Sequence, residues 1–172
     1  MKGKFTLLLG IFMCLTLLSN AQKILMKIPA VTPTAGEEIL ALEFGIEAET
    51  SYLNGAGAAV GKPIPSKLTI KKRVGQSTDD FFKNIVKGTH FNYIVFEYYD
   101  KQNVLYYTIT LGSATDAALQ GVFLTEAKWL SPECPTCVGL EQQFSFVSKG
   151  IVMEDKITNT KLSWNIAQMT IQ

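Results

Sequence analysis

The stretch FNYIVFEYYDKQNVLYYTITL, residues 91–111, decides the fold. Phe91 to Tyr99 and Val104 to Leu111 are rich in β-branched and aromatic residues, the composition of strands. Between them Asp100-Lys101-Gln102-Asn103 supplies a four-residue polar connection suited to an antiparallel hairpin. Outward from this hairpin, similar runs separated by Gly, Pro, Asn or Asp predict further strands near 23–29, 38–47, 66–73, 120–130, 141–153 and 161–171. In the last of these, Leu162, Trp164 and Ile166 alternate with Ser163, Asn165 and Ala167, so one row should be buried and the other exposed. A chain of 172 residues, 47% hydrophobic and 18% charged, can build one ordinary core. The expectation is a mainly β domain over residues 22–172.

One helix is expected. Ser77 is placed to cap it, Asp80 follows three residues later as in a capping box, and Gly88 stops it after Lys87. Phe81, Phe82, Ile85 and Val86 fall on one side, so the helix should lie against a sheet. Ala114 to Gln120 reads as a turn or a single helical turn. The small residues Asn54 to Gly61 (NGAGAAVG), followed by Pro63 and Pro65, can bury little surface and predict a mobile or partner-ordered loop. Lys67, Lys71, Lys72 and Arg73 accompany Leu68 and Ile70, and are expected on a solvated strand face.

Residues 1–21 have the layout of a secretory signal peptide: Lys2 and Lys4, an apolar run from Phe5 to Leu18, then Ser19-Asn20-Ala21. Cleavage is expected after Ala21, leaving Gln22 first. The apolar run is shorter than the ~20 residues of a membrane anchor, and Met13 is too large to precede a lipidated Cys14. The mature chain is therefore expected in the periplasm or outside the cell, meeting the membrane only during export. Loss of the leader removes two lysines and no acid, taking the formal charge from +1 to −1. Such a chain has no general attraction for nucleic acid.

No catalytic constellation emerges, and no cofactor or metal is expected. His90 is the only histidine and lacks neighbours at metal-ligand spacing. The glycine-rich segment lacks a phosphate-binding ending. Glu43, Glu47 and Glu49 share one strand parity interrupted at Gly45, and read as solvated surface. Cys134 and Cys137, in Pro132-Glu133-Cys134-Pro135-Thr136-Cys137, lie between predicted strands with no helix to activate a thiol, which suits a structural disulfide in an exported chain. A redox role or half of an intermolecular metal site are the other readings.

The order of elements carries a resemblance. Met26-Lys27-Ile28 opens, Glu37-Glu38-Ile39 enters a second strand, and the small-residue loop leads to Lys67-Leu68-Thr69-Ile70-Lys71-Lys72. Then come the helix from Ser77 to Gly88, the hairpin with Tyr107-Thr108-Ile109-Thr110-Leu111, a strand from Phe144 to Lys156, and the closing Ser163-Trp164-Asn165-Ile166. Over residues 23–172 this resembles the haemolysin-coregulated protein (Hcp) family, the tube proteins of bacterial type VI secretion. The resemblance implies two antiparallel sheets forming a β-barrel or sandwich with one flanking helix. It also implies homohexameric rings that can stack into tubes, a lumen for small secreted effectors, and no catalytic residues. The loop with Asn54, Gly55, Gly57 and Gly61 would correspond to the family's ring–ring contact. The signal peptide and the Cys134/Cys137 pair depart from the family pattern. Two other readings remain at this level: a monomeric periplasmic or cell-surface β-barrel binding module, and a thiol–disulfide exchanger using the cysteine pair.

Overall fold

The computed structural model describes residues 22–29, 31–53, 57–131 and 139–171. The hairpin around residue 100 forms as the sequence indicates. β8 (Tyr93–Tyr99) and β9 (Leu105–Gly112) pair antiparallel, with Ile94 opposite Leu111, Phe96 opposite Ile109 and Tyr98 opposite Tyr107. Asp100 makes the turn: its Oδ1 accepts from the backbone N–H groups of Gln102 and Val104, both at 2.8 Å, and Asn103 takes a φ of 63°. That left-handed conformation is among those asparagine tolerates best.

β1 (Lys23–Lys27) and β2 (Glu37–Ile39) extend this hairpin on one side. On the other lie β12 (Gly150–Asp155), β13 (Thr160–Asn165) and β14 (Thr170–Ile171). The result is a seven-stranded antiparallel sheet in the order β14-β13-β12-β9-β8-β1-β2. A second sheet of five strands runs β3 (Ala41–Glu43), β6 (Leu68–Arg73), β11 (Glu141–Ser148), β10 (Val122–Leu130) and β7 (His90–Phe91). Met26, Ile94, Phe96 and Ile151 from the first sheet, with Leu68, Ile70, Phe144 and Phe146 from the second, form one buried core. β4 (Ile46–Leu53) and β5 (Gly57–Pro65) pair only with each other.

Two expected strands are divided by corners between the sheets. The stretch 38–47 splits into β2 in the first sheet, β3 in the second and the start of β4. Ile39 is buried, Leu40 is exposed and Leu42 turns inward again, which breaks a period of two. The stretch 141–153 divides at Lys149: Phe144 and Phe146 face the core from the second sheet, and Ile151 faces it from the first. Gly150 stands at this corner because buried Leu119 lies against it. A Cβ there would meet Leu119 Cδ2 at 2.7 Å. Residues 161–171 also turn back, so that Ile171 of β14 pairs with Trp164 of β13. Trp164 is buried as expected, but Leu162 is exposed. Residues 114–120 contain turns, with Ser113 Oγ accepting from the N–H groups of Thr115 and Asp116.

α1 (Thr78–Lys87) is the helix of the described residues, and Gly88 closes it at φ 64°. Phe81 is buried edge-on against Phe91, Phe144 and Phe146, at centroid distances of 5.7, 4.7 and 5.7 Å. Phe82 stacks on Trp129 at 5.5 Å. Val86, expected on the packed side, is 83% exposed. The expected capping box is absent: Ser77 makes no side-chain cap hydrogen bond, and its hydroxyl donates to Glu37 Oε2 instead. A carboxylate from β2 thus takes the place of a local cap, where the helix dipole favours negative charge.

Gly112 ends β9 at φ 73°, with the Asn92 carbonyl oxygen where a Cβ would stand. Gly112→Ala should therefore cost about 1–2 kcal/mol from the left-handed backbone alone. Chemical denaturation should show a lower midpoint at unchanged m-value.

Candidate assembly surfaces and a buried polar cluster

The two main sheets offer little edge. Their edge strands, β14, β2, β3 and β7, are two or three residues long, a usual protection against uncontrolled strand addition. The longer strands outside these sheets are β4, eight residues, and β5, nine residues. Part of the expected loop 54–61 is therefore ordered ladder. Gly57 pairs with Leu53, and Gly61 lies where β5 carries an extra residue between the Thr50–Val60 and Ala48–Pro63 pairs. Asn54 and Gly55 lie outside the described residues. Ile46 and Ile64, near the base of this hairpin, are exposed.

The outer face of the seven-stranded sheet is polar and charge-balanced. Lys27 Nζ lies 2.8 Å from Glu97 Oε2, the Tyr99 hydroxyl donates to that oxygen at 2.6 Å, and Lys156 pairs with Glu154 at 2.6 Å. Beside them a cavity of about 370 Å³ is lined by Lys27, Ile28, Thr32, Tyr93, Val95 and Glu97 among others. Burial alone would raise the Glu97 pKa, but hydrogen bonds from Lys27 and Tyr99 and the charges of Lys27 and Lys156 hold it below its ordinary 4.5. A depressed carboxylate adds stability above its unfolded pKa and loses it as pH falls through the folded value. Glu97→Gln should thus flatten the acid limb of stability below pH 4.5, read as urea midpoints from pH 3 upward.

On the outer face of the five-stranded sheet, Glu126 pairs with Lys128 at 2.6 Å and accepts from Ser145 Oγ at 3.2 Å. The Lys128 hydrogen bond is the main reason its pKa is lowered. His90 is exposed in β7 with its ring 5.1 Å from that of Phe123. Phe123 and Val147, paired across β10 and β11, leave a small apolar patch on this face. Glu43 and Glu47 fall on β3 and β4, which belong to different sheets, and so make no shared row. Cys134, Cys137 and Ala21 lie outside the described residues, and Gln22 is exposed immediately before β1. No group of three or more His, Cys, Asp or Glu side chains among the described residues could hold a metal.

The densest polar chemistry is internal. Lys72, expected on the solvated face, is fully buried because it shares strand parity with Leu68 and Ile70. Its Nζ lies 2.7 Å from Glu37 Oε1, donates to Thr78 Oγ1 at 3.2 Å and stands 5.8 Å from the centre of the Phe81 ring. Thr78 Oγ1 also accepts from the Gly75 N–H at 3.1 Å and donates to Gln142 Oε1 at 2.9 Å. With the Thr78 proton committed to Oε1, the amide orientation of Gln142 is set, and its buried Nε2 has no hydrogen-bond partner among the described residues. This cluster ties β2, β6, β11 and the start of α1 together. Its sequence signal was parity: Lys72 with Leu68 and Ile70, Gln142 with Phe144 and Phe146.

A family described as "Type VI secretion system effector, Hcp" matches residues 35–122. No curated protein matches the chain in sequence. Among solved structures, Hcp1 from Salmonella typhimurium is similar at 12% identity and TM-score 0.69, over 88% of this chain and 99% of that one. The secreted protein Hcp3 from Pseudomonas aeruginosa is similar at 11% identity and TM-score 0.55, over 84% of this chain and 98% of that one. A chain of the sixfold-symmetrised anti-feeding prophage baseplate is similar at 9% identity and TM-score 0.51, over 80% of this chain and 95% of that one. These likenesses show the same two-sheet fold with its flanking helix. The family match spans just over half of the sequence, and on it the chain belongs to the Hcp family of type VI secretion proteins.

Proposed function

We propose that the mature chain, residues 22–172, is a non-catalytic ring-forming protein of the tube type, assembling with copies of itself into homohexamers that can stack and can carry small secreted effectors. The observation that carries this reading is the family match over residues 35–122. The sixfold symmetry named for the similar baseplate structure supports the stoichiometry. With such short edges on the main sheets, the β4–β5 hairpin, including Asn54, Gly55, Gly57 and Gly61, is the natural contact between rings. A ring needs heterologous contacts that close on themselves, and the Phe123–Val147 patch offers apolar surface for one side of such a contact.

Residues 1–21 act as an export signal removed after Ala21, in keeping with β1 beginning at Lys23. The protein then works in the periplasm or outside the cell. There Cys134 and Cys137 form a local disulfide between β10 and β11, whose ends meet at the Leu130–Glu141 pair. Light scattering on residues 22–172 over a dilution series tests the assembly. A mass near six protomers, unchanged by reductant, is expected. A monomer at every concentration would overturn the ring and favour the binding module, with the cavity beside Lys27 and Glu97 as its site.

A further inference from the structure

We propose that Lys72 and Gln142 become joined by an intramolecular isopeptide bond, formed by the folded protein from its own side chains. Five observations converge on the pair. Lys72 of β6 and Gln142 of β11 are directly opposite each other in register, and both side chains are fully buried on the core face. Cross-strand neighbours of this kind have Cβ atoms roughly 5 Å apart, within joint reach of a lysine and a glutamine. Glu37 holds a carboxylate oxygen 2.7 Å from the lysine nitrogen. The Thr78 hydroxyl donates to the Gln142 carbonyl at 2.9 Å, the place where negative charge would develop during attack on Cδ. Gln142 Nε2, the nitrogen that would leave, has no hydrogen bond to break. Phe81 stands over the lysine nitrogen, and buried Phe144 lies two residues from Gln142 on the same strand. Water is thereby kept from competing at the carbonyl.

The reaction balances without an oxidant or an outside reagent. As the nitrogen attacks, the ammonium proton of Lys72 passes to the Glu37 carboxylate across their 2.7 Å contact, freeing the lone pair. Nζ attacks Gln142 Cδ, and the carbonyl electrons move onto Oε1, held by the Thr78 hydroxyl. As the carbonyl re-forms, the bond from Cδ to Nε2 breaks. Nε2 takes the proton from Glu37, and Glu37 takes the one that Nζ sheds. One C–N bond replaces another and ammonia leaves, with no change in oxidation state.

A peptide map of the denatured full chain after trypsin tests this. Lys72 in amide linkage resists cleavage, so the dipeptide 72–73 should be found attached through Gln142 to the peptide 129–149. The linked species should be lighter than its parts by one ammonia, about 17 Da beyond the water bookkeeping of digestion. The peptide map is needed because a mature chain beginning with Gln22 can lose the same mass by cyclising its own N-terminus. Glu37→Gln removes the proton carrier, and the linked fraction should fall at least about tenfold. The wild-type map decides the case even if that variant folds poorly. Ordinary cleavage after Lys72 with an unmodified 129–149 peptide, or attachment through Thr78 in its place, would overturn the assignment.

Discussion

Phe81→Ala should lower the unfolding free energy by about 3–5 kcal/mol. Phe81 is fully buried and meets Phe91, Phe144 and Phe146 edge-on. Truncation removes the transfer free energy of a full phenyl ring and opens a cavity among three others that relax only in part. Each lost edge-to-face contact adds about 0.5–1.5 kcal/mol to the area term. The helix has few other anchors, since Phe82 and Ile85 are only partly buried and Val86 is exposed. Its outer turns should therefore exchange amide hydrogens faster than the strands beneath. Urea denaturation gives the free energy, and hydrogen exchange locates the loosening on α1. A change below about 1 kcal/mol, well under the usual range for truncating a buried phenylalanine, would show that the ring cluster does not anchor the helix.

In chains where Lys72 is not linked to Gln142, removing its ammonium should be nearly as costly. Lys72→Met keeps much of the side-chain volume but leaves Glu37, 13% exposed, facing a buried apolar neighbour. Loss of one partner from a buried ion pair typically costs about 3–5 kcal/mol, because the remaining charge keeps its desolvation penalty. The companion variant Glu37→Gln isolates the coupling. The double variant should be less destabilised than the sum of the singles, since neither charge then remains unmatched. Denaturation midpoints of the four proteins close the cycle. Strict additivity would mean that the contact at 2.7 Å contributes no coupling.

The hairpin at residue 100 was legible because its signals are local: two apolar runs and an aspartate able to build the turn. The same locality explains what was not legible. Ser77 carries a good capping side chain, but its partner is Glu37, forty residues earlier, and no window around the helix contains that fact. Lys72 was within reach of parity reasoning. The charge of the neighbouring Lys71 and Arg73 obscured its place in the row of Leu68 and Ile70. The corner at Leu40 hid behind an apolar run read as one strand, although Ile39 and Leu42 break its alternation. The β4–β5 hairpin left little trace, since Gly57, Ala58, Ala59 and Gly61 offer no apolar period to follow. Its pairing is backbone chemistry that the side chains do not announce. Of the proposed contact surfaces, the small-residue segment can be read from the sequence, whereas the Phe123–Val147 patch depends on the register of β10 against β11.

The seven-stranded sheet holds both the first and the last strand of the described residues, β1 from Lys23 and β14 ending at Ile171. Its central hairpin, β12–β13 and β13–β14 pair strands that are neighbours in sequence, but β1 joins β8 across some seventy positions and β12 joins β9 only after β10 and β11 have passed. Pairings separated by so much chain form slowly, because loop closure must precede the contacts that reward it. During synthesis this sheet therefore remains unfinished until residues 150–171 emerge.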